Sequence, residues 1–255
     1  MRVLVATAVL VERDAVAAAF APSPTREYAI PGATLSRVAP PQGGPLVFDL
    51  LAAGVGPAAA AAATAAALTA AALDEHTDEP ADTQTSGPYD LVVSAGIGGG
   101  FQPGAPVGSL VLADEITAAD LGAETADGFV PVTELGFGAV THRPPESLVR
   151  AVAAVTGART GAVLTVNTVT GSADRAAELR RRHPRALAEA MEGFGVAEAA
   201  TAHGVPVLEL RAVSNPVGPR DRAAWRIGDA LAALTGAFGK LAPALESWNP
   251  HDRTQ

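Results

Sequence analysis

Six short apolar runs, separated by longer alanine-rich segments, constrain this chain more than any other feature. The runs are Arg2–Ala8, Leu46–Ala53, Asp90–Ala95, Ser109–Ala113, Ala162–Asn167 and Val207–Val213. Several are near-continuously apolar instead of alternating, the pattern of strands covered on both faces. The segments between them predict helices over Glu12–Ala19, Pro57–Leu73, Pro145–Val155, Ala173–Arg182, Phe194–His203 and Arg222–Leu245. Pro57 suits a first helical turn, where a missing N–H costs nothing. Alternating strands and helices predict an α/β protein, a sheet sandwiched between helices. With no internal repeat and no long linker, residues 1–255 read as one domain.

Composition narrows the function classes. Of 255 residues, 48% are apolar, enough for a sizeable core. No stretch approaches the roughly 20 apolar residues that span a bilayer, and Val3–Val11 lacks signal-peptide flanks. A soluble cytoplasmic protein with no membrane partner is expected. The absence of cysteine excludes thiolate chemistry, disulfides and Cys-ligated metals. A net charge of −9 with a single lysine, Lys240, argues against nucleic acid as a partner. Five of the acids sit in one polar segment, Asp74–Tyr89, which reads as a solvated, mobile loop that aids solubility.

Four motifs could carry chemistry. Gly54-Val55-Gly56-Pro57-Ala58-Ala59 matches a dinucleotide fingerprint, but a tight strand-to-helix turn needs the same glycines for steric reasons. Gly96-Ile97-Gly98-Gly99-Gly100 follows a strand and reads either as backbone approaching a ligand or as a flexible turn. Met191-Glu192-Gly193-Phe194-Gly195 admits two readings. Pattern alone favours a continuous helix over Arg185–Ala202 with Glu192 on its surface; the glycines allow a turn that points Glu192 into a pocket. Ser214-Asn215-Pro216 closes the last strand, at the edge where open α/β sheets bind ligands. Glu12 follows the first strand, as a site carboxylate or as a first-turn acid favouring the helix dipole. The five histidines have no metal-binding spacing, so no metal site is expected, and Arg180–Arg182 with Arg185 read as a solvated face.

In their order and spacing these motifs resemble the purine nucleoside phosphorylase/hydrolase superfamily, from Met1 to about Leu245, and especially its 5′-methylthioadenosine/S-adenosylhomocysteine nucleosidase branch. The resemblance rests on Glu12 after the first strand, Ala53–Gly56, Gly96–Phe101, the spacing from Pro184 to Met191-Glu192, and Arg211–Asn215. Met-Glu-Gly-Phe-Gly and Ser-Asn-Pro-Val-Gly-Pro-Arg-Asp are most similar to the futalosine hydrolases, which release hypoxanthine in a route to menaquinone. The resemblance implies a three-layer α/β/α sandwich with a central mixed twisted sheet and an N-glycosyl hydrolase acting on a small purine nucleoside. It implies no cofactor and a homo-oligomer, a dimer being favoured. It assigns water activation to Glu12, the ribose hydroxyls to Glu192 and ribose packing to Met191. Val169 and Thr170 would lie beside the base, with Gly98 and Gly99 lining the site and Ser214 orienting Asn215.

Two departures matter. Ile97 stands where the nucleosidases carry a small polar residue, so their contacts there do not transfer. Asn215 stands where the adenine-cleaving enzymes carry aspartate. An amide can donate to O6 of a 6-oxopurine and accept from a protonated N7, so Asn215 predicts hypoxanthine over adenine. Glu12 would repel phosphate, leaving Arg13 the nearby cation, and this favours water over a phosphorylase reaction. Phosphorolysis of inosine or guanosine, and a non-catalytic nucleoside- or NAD-binding protein, are the competing readings. With 4% aromatic residues, an aromatic cage for the base is not expected. Futalosine also carries a benzoate, for which Arg220 and Arg222 are candidates by position; salt bridges to Asp221 compete with that role.

Overall fold

The structure, a computed structural model, describes residues 1–74 and 87–248. The strands are β1 (Arg2–Thr7), β2 (Arg26–Ile30), β3 (Ala33–Val38), β4 (Val47–Ala52), β5 (Leu91–Gly100), β6 (Leu110–Ala118), β7 (Gly122–Thr125), β8 (Gly128–Pro131), β9 (Thr141–His142), β10 (Arg159–Thr165), β11 (Ala186–Ala190) and β12 (Val207–Pro216). The helices are α1 (Leu10–Ala18), α2 (Pro57–Asp74), α3 (Glu146–Thr156), α4 (Ala173–Arg182), α5 (Gly193–Ala202) and α6 (Ile227–Ser247).

The main sheet runs β2-β3-β4-β1-β5-β12-β6-β10-β11. Strands β4, β1, β5 and β12 are parallel, while β6, β10 and β11 run opposite to β12. The far half of β5 also pairs with β11, antiparallel, so β5, β12, β6, β10 and β11 close on themselves. The mixed, helix-covered sheet expected from the sequence is thus present, with this closure added.

Both faces of the sheet are covered, which explains the unbroken apolar runs. Val3 and Val5 of β1 face a core shared with α1, α3 and α6, while Leu4 and Ala6 face α2 and α5. In β12, Leu208, Leu210 and Ala212 take the first side. On the opposite side, alternation places Glu209 and Arg211 beneath α5.

Several expectations change. The glycines after Ala95 form no turn: β5 continues through Gly100. A continuous helix over Arg185–Ala202 is also excluded, because Ala186–Ala190 pair with β10 and β5. The predicted helix Arg222–Leu245 breaks into a 3-10 turn, Arg222–Ala224, and α6, because Arg226 N–H is drawn out to Ser214 O at 2.8 Å. The hairpin β2–β3 was not anticipated. Most of the polar segment Asp74–Tyr89, residues 75–86, lies outside the described residues, but Tyr89 at its end is buried.

Tyr89 belongs to a polar cluster that ties β1, β3 and β4 together. Asp49, fully buried on β4, accepts Arg37 Nε at 2.6 Å, Arg2 Nε at 2.9 Å and Tyr89 OH at 2.8 Å. Burial works against its charge, but the hydrogen bond from Arg37 and the charge of Arg2 hold its carboxyl below the usual range. Removing one partner of a buried pair strands the other charges, so Asp49→Asn is expected to cost about 3–5 kcal/mol at pH 7. A folded-state value below the unfolded one, about 3.9, contributes stability above that pH and loses it as pH falls through the folded value. Urea unfolding from pH 7 to pH 3 should therefore show the gap between wild type and variant constant down to about pH 5 and narrowing below about pH 4.

Candidate active site

The first strand ends at Thr7, and after two intervening residues α1 begins at Leu10 with no capping side chain at Val9. Glu12, in the third helical position, reaches back to supply the cap: its Oε2 accepts Ala8 N at 3.0 Å and Val9 N at 3.3 Å. Its Oε1 accepts Ile97 N from β5 at 2.9 Å. Three backbone donors thus orient a carboxylate that is only 4% exposed. The first-turn acid reading of Glu12 is present in this geometry, and the same hydrogen bonds hold its Oε1 toward β5.

Glu192 lies between β11 and α5, where the two glycines that follow it, Gly193 and Gly195, let the backbone approach its neighbours. A Cβ on Gly193 would collide with both oxygens of Glu209, and one on Gly195 with the backbone of Pro57. Glu192 Oε1 accepts Gly56 N at 3.3 Å. Gly54 and Gly56 both have positive φ, 93° and 91°, so their conformations need glycine. The Gly54–Ala59 turn therefore serves the steric role and orients Glu192.

The residue that joins the two carboxylates was not assigned a role from sequence. Arg211 is 1% exposed; its Nε donates to Glu209 Oε1 at 2.9 Å and its Nη2 to Ser94 Oγ at 2.8 Å. Nη1 stands 3.4 Å from Glu192 Oε2 but has no hydrogen-bond partner. It also lies 2.8 Å from the point where a Cβ on Gly96 would stand, and Glu12 Oε1 lies 2.7 Å from the same point. Gly96 thus keeps space open between a carboxylate acceptor and an unused guanidinium donor. Burial opposes Arg211's charge, but Glu209, Glu192 and Glu12 together hold its pKa above the usual value. Burial pushes the Glu209 carboxyl up, against the pull of Arg211 and with added repulsion from Glu192. Glu209 and Arg211 were legible as two charges on one face of an apolar strand, a pattern costly enough to bury that it marks a built cluster.

Farther along β5, a bulge between Val213 and Asn215 sets Asn215 beside Gly99. Ser214 Oγ donates to Asn215 Oδ1 at 2.8 Å, and Asn215 Nδ2 donates to Pro216 O at 3.0 Å. A carbonyl can only accept, so Pro216 fixes which end of the amide is which. One lone pair on Oδ1 and one hydrogen on Nδ2 remain for a ligand. On the other side of Gly99 stands Glu189. It accepts both N and Oγ1 of Thr170, and burial raises its carboxyl against those two bonds. Thr170 is buried, Val169 is 37% exposed at the rim, and Met191 is half-buried beside Glu192. Gly98 admits the Glu189 backbone, whose O would stand 2.8 Å from an added Cβ. The structure therefore brings Glu12, Glu192 and Arg211 together around Gly96, and Gly99, Thr170, Ser214 and Asn215 together one step farther along the same strand.

Similarity to known proteins shows the family. The profile described as "Phosphorylase superfamily" matches residues 33–244. A futalosine hydrolase of Streptomyces coelicolor is 74% identical over 253 residues, covering 99% of this chain and 100% of that protein. One from Acidothermus cellulolyticus is 47% identical over 161 residues, or 61% of this chain and 66% of the other. The structure of futalosine hydrolase from Helicobacter pylori strain 26695 superposes with a TM-score of 0.75 at 16% identity, over 95% of this chain and 97% of that one. The chain belongs to the phosphorylase superfamily, on its futalosine hydrolase branch.

Proposed function

We propose that this protein hydrolyses the N-glycosidic bond of futalosine, releasing hypoxanthine and dehypoxanthine futalosine, in the route to menaquinone. The observation that carries the choice of nucleophile is the charge around Gly96: Glu12, Glu192 and Glu209 surround one guanidinium. Arg13, the residue after Glu12 in α1, is engaged by Asp14 at 2.7 Å. Such a site repels phosphate and admits neutral water.

In this reading water sits between Glu12 Oε1 and Arg211 Nη1, accepting from the guanidinium and donating to the carboxylate. As its oxygen bonds to C1′, the C1′–N9 electron pair leaves with the purine and Glu12 takes the proton. Glu192 accepts from the ribose hydroxyls, and its charge favours the positive charge growing on the sugar. The departing purine takes a proton from solvent at N7; Asn215 Oδ1 then accepts that N–H while Nδ2 donates to O6. Exposed Val9, Leu10, Val11 and Val55 line this side of the fold and favour a homodimer that shelters the site.

Incubating the purified protein with futalosine should release hypoxanthine at a rate that added phosphate leaves unchanged; a phosphate requirement or ribose 1-phosphate-type product would establish phosphorolysis instead. Glu12→Gln keeps the side-chain size but cannot take the proton and sets its NH₂ against a backbone N–H on one side, so kcat is expected to fall about 10²–10⁴-fold. Asn215→Asp puts acceptors opposite O6. Its kcat/KM for futalosine should drop about 10–100-fold while the relative rate on methylthioadenosine rises, read as the released base by chromatography.

A further inference from the structure

One buried acid has no part in breaking the bond. Glu189 of β11 is 5% exposed, and among the described residues it forms no ion pair. Arg175, the cation whose charge reaches it, is paired with Glu178. Both of its hydrogen bonds come from Thr170: Oε1 accepts the backbone N at 2.8 Å, and Oε2 accepts Oγ1. A carboxylate offers about four lone-pair sites, so about half of its acceptor capacity is unused. A buried acid held by two neutral donors, without a cation, is stabilised by any further donor that reaches it.

The fold directs Glu189 to the same ground as Asn215. It stands directly opposite Gly99 in the antiparallel pairing of β11 with β5, and opposed residues project to one face. On that face the Cβ position of Gly99 lies 3.4 Å from Asn215 Nδ2 and 2.9 Å from Val217 Cγ2. Gly99 is half-buried and has no side chain, so it forms a bare floor between the amide on β12 and the carboxylate on β11. Neighbouring strands lie about 4.8 Å apart, which sets the β12 and β11 backbones about 10 Å apart across β5. A planar ring hydrogen-bonded at two edges fits that span.

We infer that Glu189 determines base specificity, accepting the N1–H of a 6-oxopurine whose O6 is held by Asn215. The inference rests on the reading that Asn215 receives the edge of the base. In a 6-oxopurine N1–H adjoins O6 on the side away from N7, so one lactam engages the amide and the carboxylate together. Adenine has a lone pair at N1 and would set acceptor against acceptor there. Asn215 and Glu189 thus reject a 6-amino base at two adjacent atoms.

The test measures inhibition of futalosine hydrolysis by hypoxanthine and by 1-deazahypoxanthine, on wild type, E189Q and E189D. The second base keeps the shape but carries C–H in place of N1–H. Wild type should bind hypoxanthine about 10–100-fold more tightly. In E189Q the amide oxygen still accepts Thr170 N and its NH₂ donates to Thr170 Oγ1, so Thr170 stays held while the preference for hypoxanthine collapses. E189D withdraws the carboxylate by one methylene and should keep only part of that preference, a measurement that stands even if E189Q does not fold. Equal inhibition of wild type by the two bases, or an unchanged preference in either variant, overturns the assignment. An equal loss of affinity for both bases, the result of a purely structural clasp on Thr170, overturns it too. Release of no hypoxanthine from futalosine by wild type overturns the functional reading, and the assignment with it.

Discussion

The arrangement of the site depends on one buried cation. Arg211 satisfies Glu209 directly, faces Glu192 and stands across Gly96 from Glu12. Without it, three carboxylates from three parts of the chain would converge in a nearly water-free space at prohibitive cost. With it, each has a reason to stay. Glu209 takes up the direct hydrogen bond, accepting Arg211 Nε at 2.9 Å. The consequence is geometric as well as electrostatic: with Nε and Nη2 committed, only Nη1 is left to face the opening.

That cluster needs close backbone approach, and the glycines supply it in places where their own φ values are ordinary. Gly96 and Gly98 lie in an extended strand; their missing side chains leave room for Arg211, Glu12 and the β11 backbone. Gly193 and Gly195 do the same where α5 begins, over Glu209 and against Pro57. Substituting any of these four would push apart the elements that bring the carboxylates together, so the constraint acts through packing instead of turn conformation.

This distinction also explains what sequence could and could not disclose. Helix α2 was legible from its alanines and from Pro57 in its first turn, and α4 and the buried strands from local pattern, because these signals act locally. Glu12, Glu192, Ser214 and Asn215 were legible through resemblance, and the structure gathers them along β5. Strand β11 was not, because Ala186–Ala190 has helical propensity and becomes a strand only by pairing with β10 and β5. The glycine run was misleading for a related reason: a sequence shows that side chains are missing, not which neighbour occupies the space. Arg211 is part of a strand end in the sequence, and its place emerges only when Glu12 and Glu192, 180 residues apart, come to face its guanidinium.

In the proposed reaction, base selection would likewise rest on groups whose donor or acceptor role cannot change. Pro216 contributes a carbonyl that only accepts, so residue 215 must present a donor on that side. An ionised aspartate there would face that carbonyl with lone pairs and would turn Ser214 into its only internal donor. The amide avoids that conflict without taking up a proton. Its orientation is therefore fixed before any ligand arrives, with one donor and one acceptor still open. Fixed dipoles of this kind select by what they leave unpaired: a 6-amino group opposite Nδ2 would set donor against donor, whereas a 6-oxo group completes the pair. Thus, on the proposed reading, one backbone carbonyl would make the site complementary to hypoxanthine through the amide that it orients.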